Sequence, residues 1–150
     1  MTVRIEKSIV IEASPEQVWP FLVEPEKFLK WWFTVREFTP QQKSLNGAGA
    51  TFYTEEKCAG PLMKLNFELT EWEENRRLAF RMTSGSGVKA YAQKWTIEAT
   101  QAGSKYILAE EWEGPFGIFG KISEIFLRGS SETLVEQYLS RLKNLVEKTN

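Results

Sequence analysis

Residues 118–148, IFGKISEIFLRGSSETLVEQYLSRLKNLVEK, are the one stretch of this chain long and periodic enough to read as an extended amphipathic helix. Ile118, Ile122, Ile125 and Phe126, followed by Val135, Tyr138, Leu139, Leu142, Leu145 and Val146, recur at three- and four-residue steps and make one apolar stripe. Gly129-Ser130-Ser131 interrupts it, and a glycine there costs about 1 kcal/mol against alanine, which predicts a kink or a space beside the helix. From about Thr34 up to this helix the chain alternates at a period of two, with no second long helix between. A long helix that closes a run of strands has to lay its apolar face along one side of an antiparallel sheet, and a cavity is easily left between such curved layers. The expected class is α+β, a single domain over residues 1–150.

Working outward, Val3, Ile5, Ile9 and Ile11 share one parity while Arg4, Glu6 and Glu12 hold the other, the mark of a half-buried first strand. Ser14-Pro15-Glu16-Gln17 supplies a helix start, with Ser14 as cap, Pro15 at the first helical position and Gln17 at the capping-box place. Val18, Trp19 and Leu22 fall on one face of that helix. Glu24-Pro25 restarts a second short helix carrying Phe28, Trp31 and Trp32. Breaks at Asn46-Gly47, Gly60-Pro61, Glu74-Asn75, Ser84–Gly87 and Gln101–Gly103 then describe a meander of six strands, about seven strands in all. The sets Met63, Leu65, Phe67, Leu69 and Leu78, Phe80, Met82 are expected to face the long helix, as are Tyr91, Gln93, Trp95, Ile97 and Tyr106, Leu108, Glu110, Trp112. Lys64, Asn66, Glu68, Arg81, Lys94, Glu98 and Lys105 take the solvated face. Glu113–Gly117 is the hinge into the terminal helix.

Composition narrows the function. The 150 residues are 42% hydrophobic and 26% charged, and 19 basic against 20 acidic residues nearly cancel with no block of like charge. This is not the footprint of a nucleic-acid partner, and a neutral or apolar small molecule is the expected one. The first residues lack the apolar run of a signal peptide and nothing later approaches a bilayer span, so no integral membrane association is expected and the cytoplasm is the expected location. Histidine is absent. That excludes triad hydrolases and histidine-based metal sites, and the single Cys58 excludes an internal disulfide and any multi-cysteine site, so neither a metal nor a cofactor is expected. Beside Lys57 and before Gly60-Pro61, Cys58 reads as a strand-end residue.

The candidate ligand-binding residues are Phe67, Phe80, Tyr91, Gln93, Trp95, Tyr106, Leu108, Glu110 and Trp112 on the inward strand faces, with Ile122 and Phe126 on the helix. Each aromatic has plain core packing as its rival reading. Glu110 stands out, because a carboxylate sent into an apolar recess has a raised pKa suited to acid–base work; the alternative is a solvated strand end. Glu71 is inward by the same counting, and Gln93 is placed to hydrogen-bond a carbonyl nearby. Trp31, Trp32 and Phe33 either cover the open end of the sheet or form an aromatic patch for a partner. A dry apolar pocket of ~300 Å³ would cost ~7 kcal/mol, comparable with the stability of a whole domain. With six tryptophans, four tyrosines and ten phenylalanines available, the pocket is expected to be small and plugged, wet, or filled by a ligand.

Several segments also resemble a known superfamily. IEKSIVIEASPEQVWPFLVEPEKFLKWW (5–32) is similar to the opening of START-like (SRPBCC) proteins, LTEWEENRRLAFRM (69–82) to their strand-turn-strand element, WTIEATQAGSKYILAEEWEG (95–114) to their last hairpin, and YLSRLKNLVEK (138–148) to their closing helix. The group includes the birch pollen allergen, polyketide cyclase/dehydrase-like proteins and, more distantly, activators of the heat-shock chaperone ATPase. The glycine-rich strand of those activators is only loosely echoed by Asn46-Gly47-Ala48-Gly49. The resemblance implies a helix-grip fold and a central cavity for a lipid, polyketide or other apolar or amphipathic molecule. It also implies two alternatives, a cyclase/dehydratase-like enzyme with Glu110 as acid or base and a protein-interaction module. Fold alone does not choose among them, and monomer and dimer both stay open.

Overall fold

The computed structural model describes residues 2–58, 60–114 and 120–149, and over 120–127 the backbone alone. The order is β1 (Thr2–Ile11), α1 (Pro15–Val23), α2 (Pro25–Trp31), β2 (Val35–Pro40), β3 (Thr51–Glu56), β4 (Met63–Glu73), β5 (Arg77–Gly85), β6 (Ala90–Thr100), β7 (Gly103–Glu113) and α3 (Gly120–Thr149). The seven strands form one curled antiparallel sheet in the order β1-β7-β6-β5-β4-β3-β2, a meander whose last strand returns beside the first. This is the helix-grip architecture expected from the sequence.

Local chemistry sets the two short helices. Ser14 Oγ accepts from the Gln17 backbone N–H and the Gln17 side chain accepts from the Ser14 N–H, so the capping box closes, with Pro15 in the first turn. Trp31 Nε1 donates to the Phe21 carbonyl at 2.7 Å and ties α2 back onto α1. Trp31 and Trp32 are 0% and 2% exposed, packed with Phe28 and Trp95. The aromatic surface patch considered for Trp31–Phe33 is therefore corrected: two of its three rings are core, and only Phe33 is exposed, beneath the Arg141 guanidinium.

Along the sheet the inward sets lie buried largely as their parity predicts. One departure follows from a β-bulge between Leu69 and Glu71, where the pairing passes from Leu69–Phe80 to Glu71–Ala79 and Trp72–Leu78. The extra residue reverses the faces. Trp72 turns in, its ring edge-on to Trp19 with centroids 5.1 Å apart, and Glu71 turns out to pair with Lys94 at 3.6 Å. Glu71 is thus no part of the interior.

The helix α3 packs against β1, α1 and α2. Val135, Tyr138, Leu139, Leu142 and Val146 are buried and Leu145 partly so. Lys7 on β1 pairs with Glu136 of α3 at 3.0 Å, and Lys143 reaches back to the Val10 carbonyl at 2.8 Å. The helix α3 continues through Gly129, and of the two outcomes expected there the structure has open space: the glycine is exposed, with nothing where a Cβ would be, so it costs propensity without disturbing packing. Ile118 and the hinge positions Pro115–Gly117 lie outside the described residues, as do the side chains of Ile122, Ile125 and Phe126. No described helix is long and apolar enough to cross a membrane.

Candidate functional site

Between the sheet and the helices the aromatic rings close on one another. Phe28 stacks on Trp32 and on Trp95, Phe52 on Phe38 and Phe67, and Phe80 meets Trp95 edge-on at 5.3 Å. What they leave is a cavity of about 20 Å³ among Trp32, Phe38, Phe52, Phe67, Phe80 and Trp95, with Thr54, Glu56, Tyr91 and Gln93 as its polar members. That is room for about one water molecule. Among the described residues the aromatics fill most of the space beside this cavity, in line with one of the three outcomes the cavity cost allowed. A larger hollow of about 690 Å³, between Pro15, Glu16 and the β4–β5 turn, is an open groove of the surface, away from these rings.

Two polar networks border the cavity. In the first, Trp95 Nε1 donates to Gln93 Oε1 at 2.6 Å, Gln93 Nε2 donates to the Tyr91 hydroxyl at 2.8 Å, and Tyr91 donates to Glu110 Oε1 at 2.6 Å. Alternate residues of β6 and one from β7 thus form a directed chain ending on a carboxylate, as the shared inward parity of neighbouring strands requires. Burial pushes Glu110 up to about 7, against the opposing pull of the Tyr91 and Gln93 hydrogen bonds, and the nearby Glu56 carboxylate raises it further. Burial beside Glu110 likewise drives Tyr91 well above the ordinary tyrosine range.

The second network was not anticipated. Glu56, the last residue of β3, is buried, and its Oε1 accepts from Trp32 Nε1 at 3.2 Å, Thr34 Oγ1 at 2.9 Å and the part-buried Cys58 thiol at 3.6 Å. Thr34 also bonds the Tyr138 hydroxyl of α3, whose ring stacks on Trp32. Burial raises Glu56, and burial together with the Glu56 charge pushes the Cys58 thiol up to about 12, which leaves it a thiol rather than a nucleophilic thiolate at neutral pH. The parity Phe52, Thr54, Glu56 carried the signal for this residue, but two adjacent glutamates at a strand end leave it open which one turns inward.

Of the predicted residues, Phe67, Phe80, Tyr91, Gln93 and Trp95 border the cavity and Glu110 stands behind Tyr91. Leu108 and Tyr106 are fully buried but not on its wall, and Trp112 is half-buried. The Tyr106 ring meets Trp31 and Trp95 edge-on, and its hydroxyl has no hydrogen-bond partner among the described residues. Among the described residues no group of three or more Cys, Asp or Glu side chains is placed to hold a metal ion.

The comparisons with known proteins agree with this architecture. The protein TTHA0849 of Thermus thermophilus superposes with a TM-score of 0.78 at 22% identity, covering 100% of this chain and 99% of the other. A START superfamily protein from Mycobacterium smegmatis gives 0.82 at 13% identity over 98% and 99% of the two chains. The Zhui aromatase/cyclase from Streptomyces sp. R1128 gives 0.74 at 15% identity over 99% and 96%. At these identities the likeness is one of fold. No curated protein matches the sequence. A family model described as polyketide cyclase / dehydrase and lipid transport matches residues 2–147, and the chain belongs to that family.

Proposed function

We propose that residues 1–150 act as one domain that binds an apolar or amphipathic small molecule between the sheet and α3, the class of ligand that includes lipids and polyketides. The observation that carries this reading is the chain Trp95–Gln93–Tyr91–Glu110 set inside an aromatic wall. A fold needs no such chain in its core, since well-packed apolar residues serve as well or better, whereas a ligand with one polar end needs an oriented partner for it. The cavity of about 20 Å³ is smaller than any such ligand, so binding displaces rings, and the ligand then takes up the apolar contacts the rings give up. Native mass spectrometry of the gently purified protein, followed by solvent extraction, tests the reading. A stoichiometric apolar adduct is expected; a bare protein that also takes up no alkanol, fatty acid or polycyclic phenol offered to it would end it.

One observation favours a second reading. Glu110 is held near 7, with a tyrosine hydroxyl 2.6 Å away, and such a pair is able to move a proton at a bound carbonyl compound, as a cyclase or dehydratase requires. Glu110→Gln separates the two readings: turnover lost with ligand binding kept marks an enzyme, and unchanged turnover removes Glu110 from any chemistry. The interaction-module alternative loses its surface, since Trp31 and Trp32 are buried.

A further inference from the structure

The described interior holds two acidic side chains and no basic one. Of the described Lys, Arg, Asp and Glu residues only Glu56 and Glu110 are buried, and neither is paired with a Lys or Arg among them. Each carboxylate spends one oxygen on the protein: Oε1 of Glu56 takes all three of its donors, and Oε1 of Glu110 takes both of its own. The Glu56 charge helps to raise Glu110. The small cavity that Glu56 borders, with Glu110 behind its Tyr91, is lined by the rings of Trp32, Phe52, Tyr91 and Trp95, and ring faces attract cations.

We propose that the molecule bound in this interior is a cationic amphiphile, an organic ammonium seated between Glu56 and Glu110 with its apolar part against the aromatic wall. This rests on reading the interior as a ligand site. With a neutral ligand burial keeps both carboxyls inclined to hold their protons, an anionic ligand gains nothing from either, and only a cation stabilises their ionised forms. A metal ion fits poorly, since it asks for a full shell of oxygen or sulfur donors where the site offers two carboxylates among rings. An ammonium combines what both carboxylates and the ring faces favour.

Three probes with one tail and three heads test this: octylammonium, 1-octanol and octanoate, titrated at pH 8 against the wild-type protein by calorimetry and followed by the quenching of its tryptophans. The ammonium is expected to bind at least about tenfold more tightly than the alcohol, with octanoate weakest. Glu56→Gln and Glu110→Gln, checked for folding by circular dichroism, are each expected to remove most of the preference for the ammonium over 1-octanol. Equal or tighter binding of 1-octanol or octanoate to the wild type overturns the cation proposal and leaves the ligand-binding reading standing. Ammonium binding that both variants retain in full also overturns it, since it then occurs on the surface. Failure of all three probes to bind overturns the cation proposal and leaves the ligand-binding reading to the adduct and polycyclic phenol test above. The wild-type comparison decides the matter even if neither variant folds.

Discussion

Glu110 shows how much depends on one side chain's surroundings. Held near 7 in the folded protein against an ordinary 4.5, it keeps a proton between those values that the unfolded chain has released. Stability therefore falls as pH rises through that window and levels off above it, the reverse of a salt-bridged carboxylate. The full span is on the order of 3 kcal/mol. Glu56, raised by burial, adds to the same slope, while the exposed Glu73 and Glu147, held below the ordinary value, act in the opposite sense only under acid conditions. Melting curves of wild type and Glu110→Gln from pH 5 to 8 should show a shallower decline in the variant; parallel declines would mean that Glu110 is not buried as described. Tyr106 offers a second measurement. Its hydroxyl is fully buried and unpartnered among the described residues, so Tyr106→Phe removes an unmet hydrogen bond without opening a hole and should stabilise the protein by about 1 kcal/mol in denaturant titration. A loss of stability would show that a bound water or ligand satisfies it in solution.

At the scale of elements, the tightest constraint sits where the β6–β7 hairpin passes under the junction of β1 and α1. Gly103 has φ +143°, and a Cβ there would lie 2.4 Å from the Ile11 carbonyl oxygen and 2.6 Å from the Ala13 nitrogen. Both are backbone atoms, and the neighbouring Ser104 hydroxyl already binds the Ala13 carbonyl at 2.6 Å, so nothing there can give way cheaply. Gly103→Ala should cost about 2 kcal/mol or more in chemical denaturation, far beyond the same change at exposed Gly129. The sequence marked Gln101–Gly103 as a turn without showing that another backbone crosses it. The same contrast holds for helices and strands. Ser14 through Gln17 spells its capping box in four consecutive residues, which made α1 legible, whereas the bulge after Leu69 that expels Glu71 depends on pairing with β5 and leaves no mark in β4 itself.

For the molecule as a whole, the size of the interior follows from packing. A dry pocket of ~300 Å³ would have cost ~7 kcal/mol, and the observed 20 Å³ costs only about 0.5 kcal/mol at the same rate. Phe28 and Trp32 from α2 and its end, Phe52 from β3 and Trp95 from β6 do much of the filling. The sequence by itself determined the order of elements, the closing helix, the inward faces of β6 and β7 and hence Glu110, because periodicity and capping are properties of consecutive residues. Only the tertiary structure decided that Glu56 turns inward to meet Trp32 and Thr34, that Trp31 and Trp32 are core rather than surface, and how closely the described aromatic rings fill the space between them. Those outcomes depend on which distant side chains fill the same volume, and a linear pattern carries no distance between residues that are far apart in the chain.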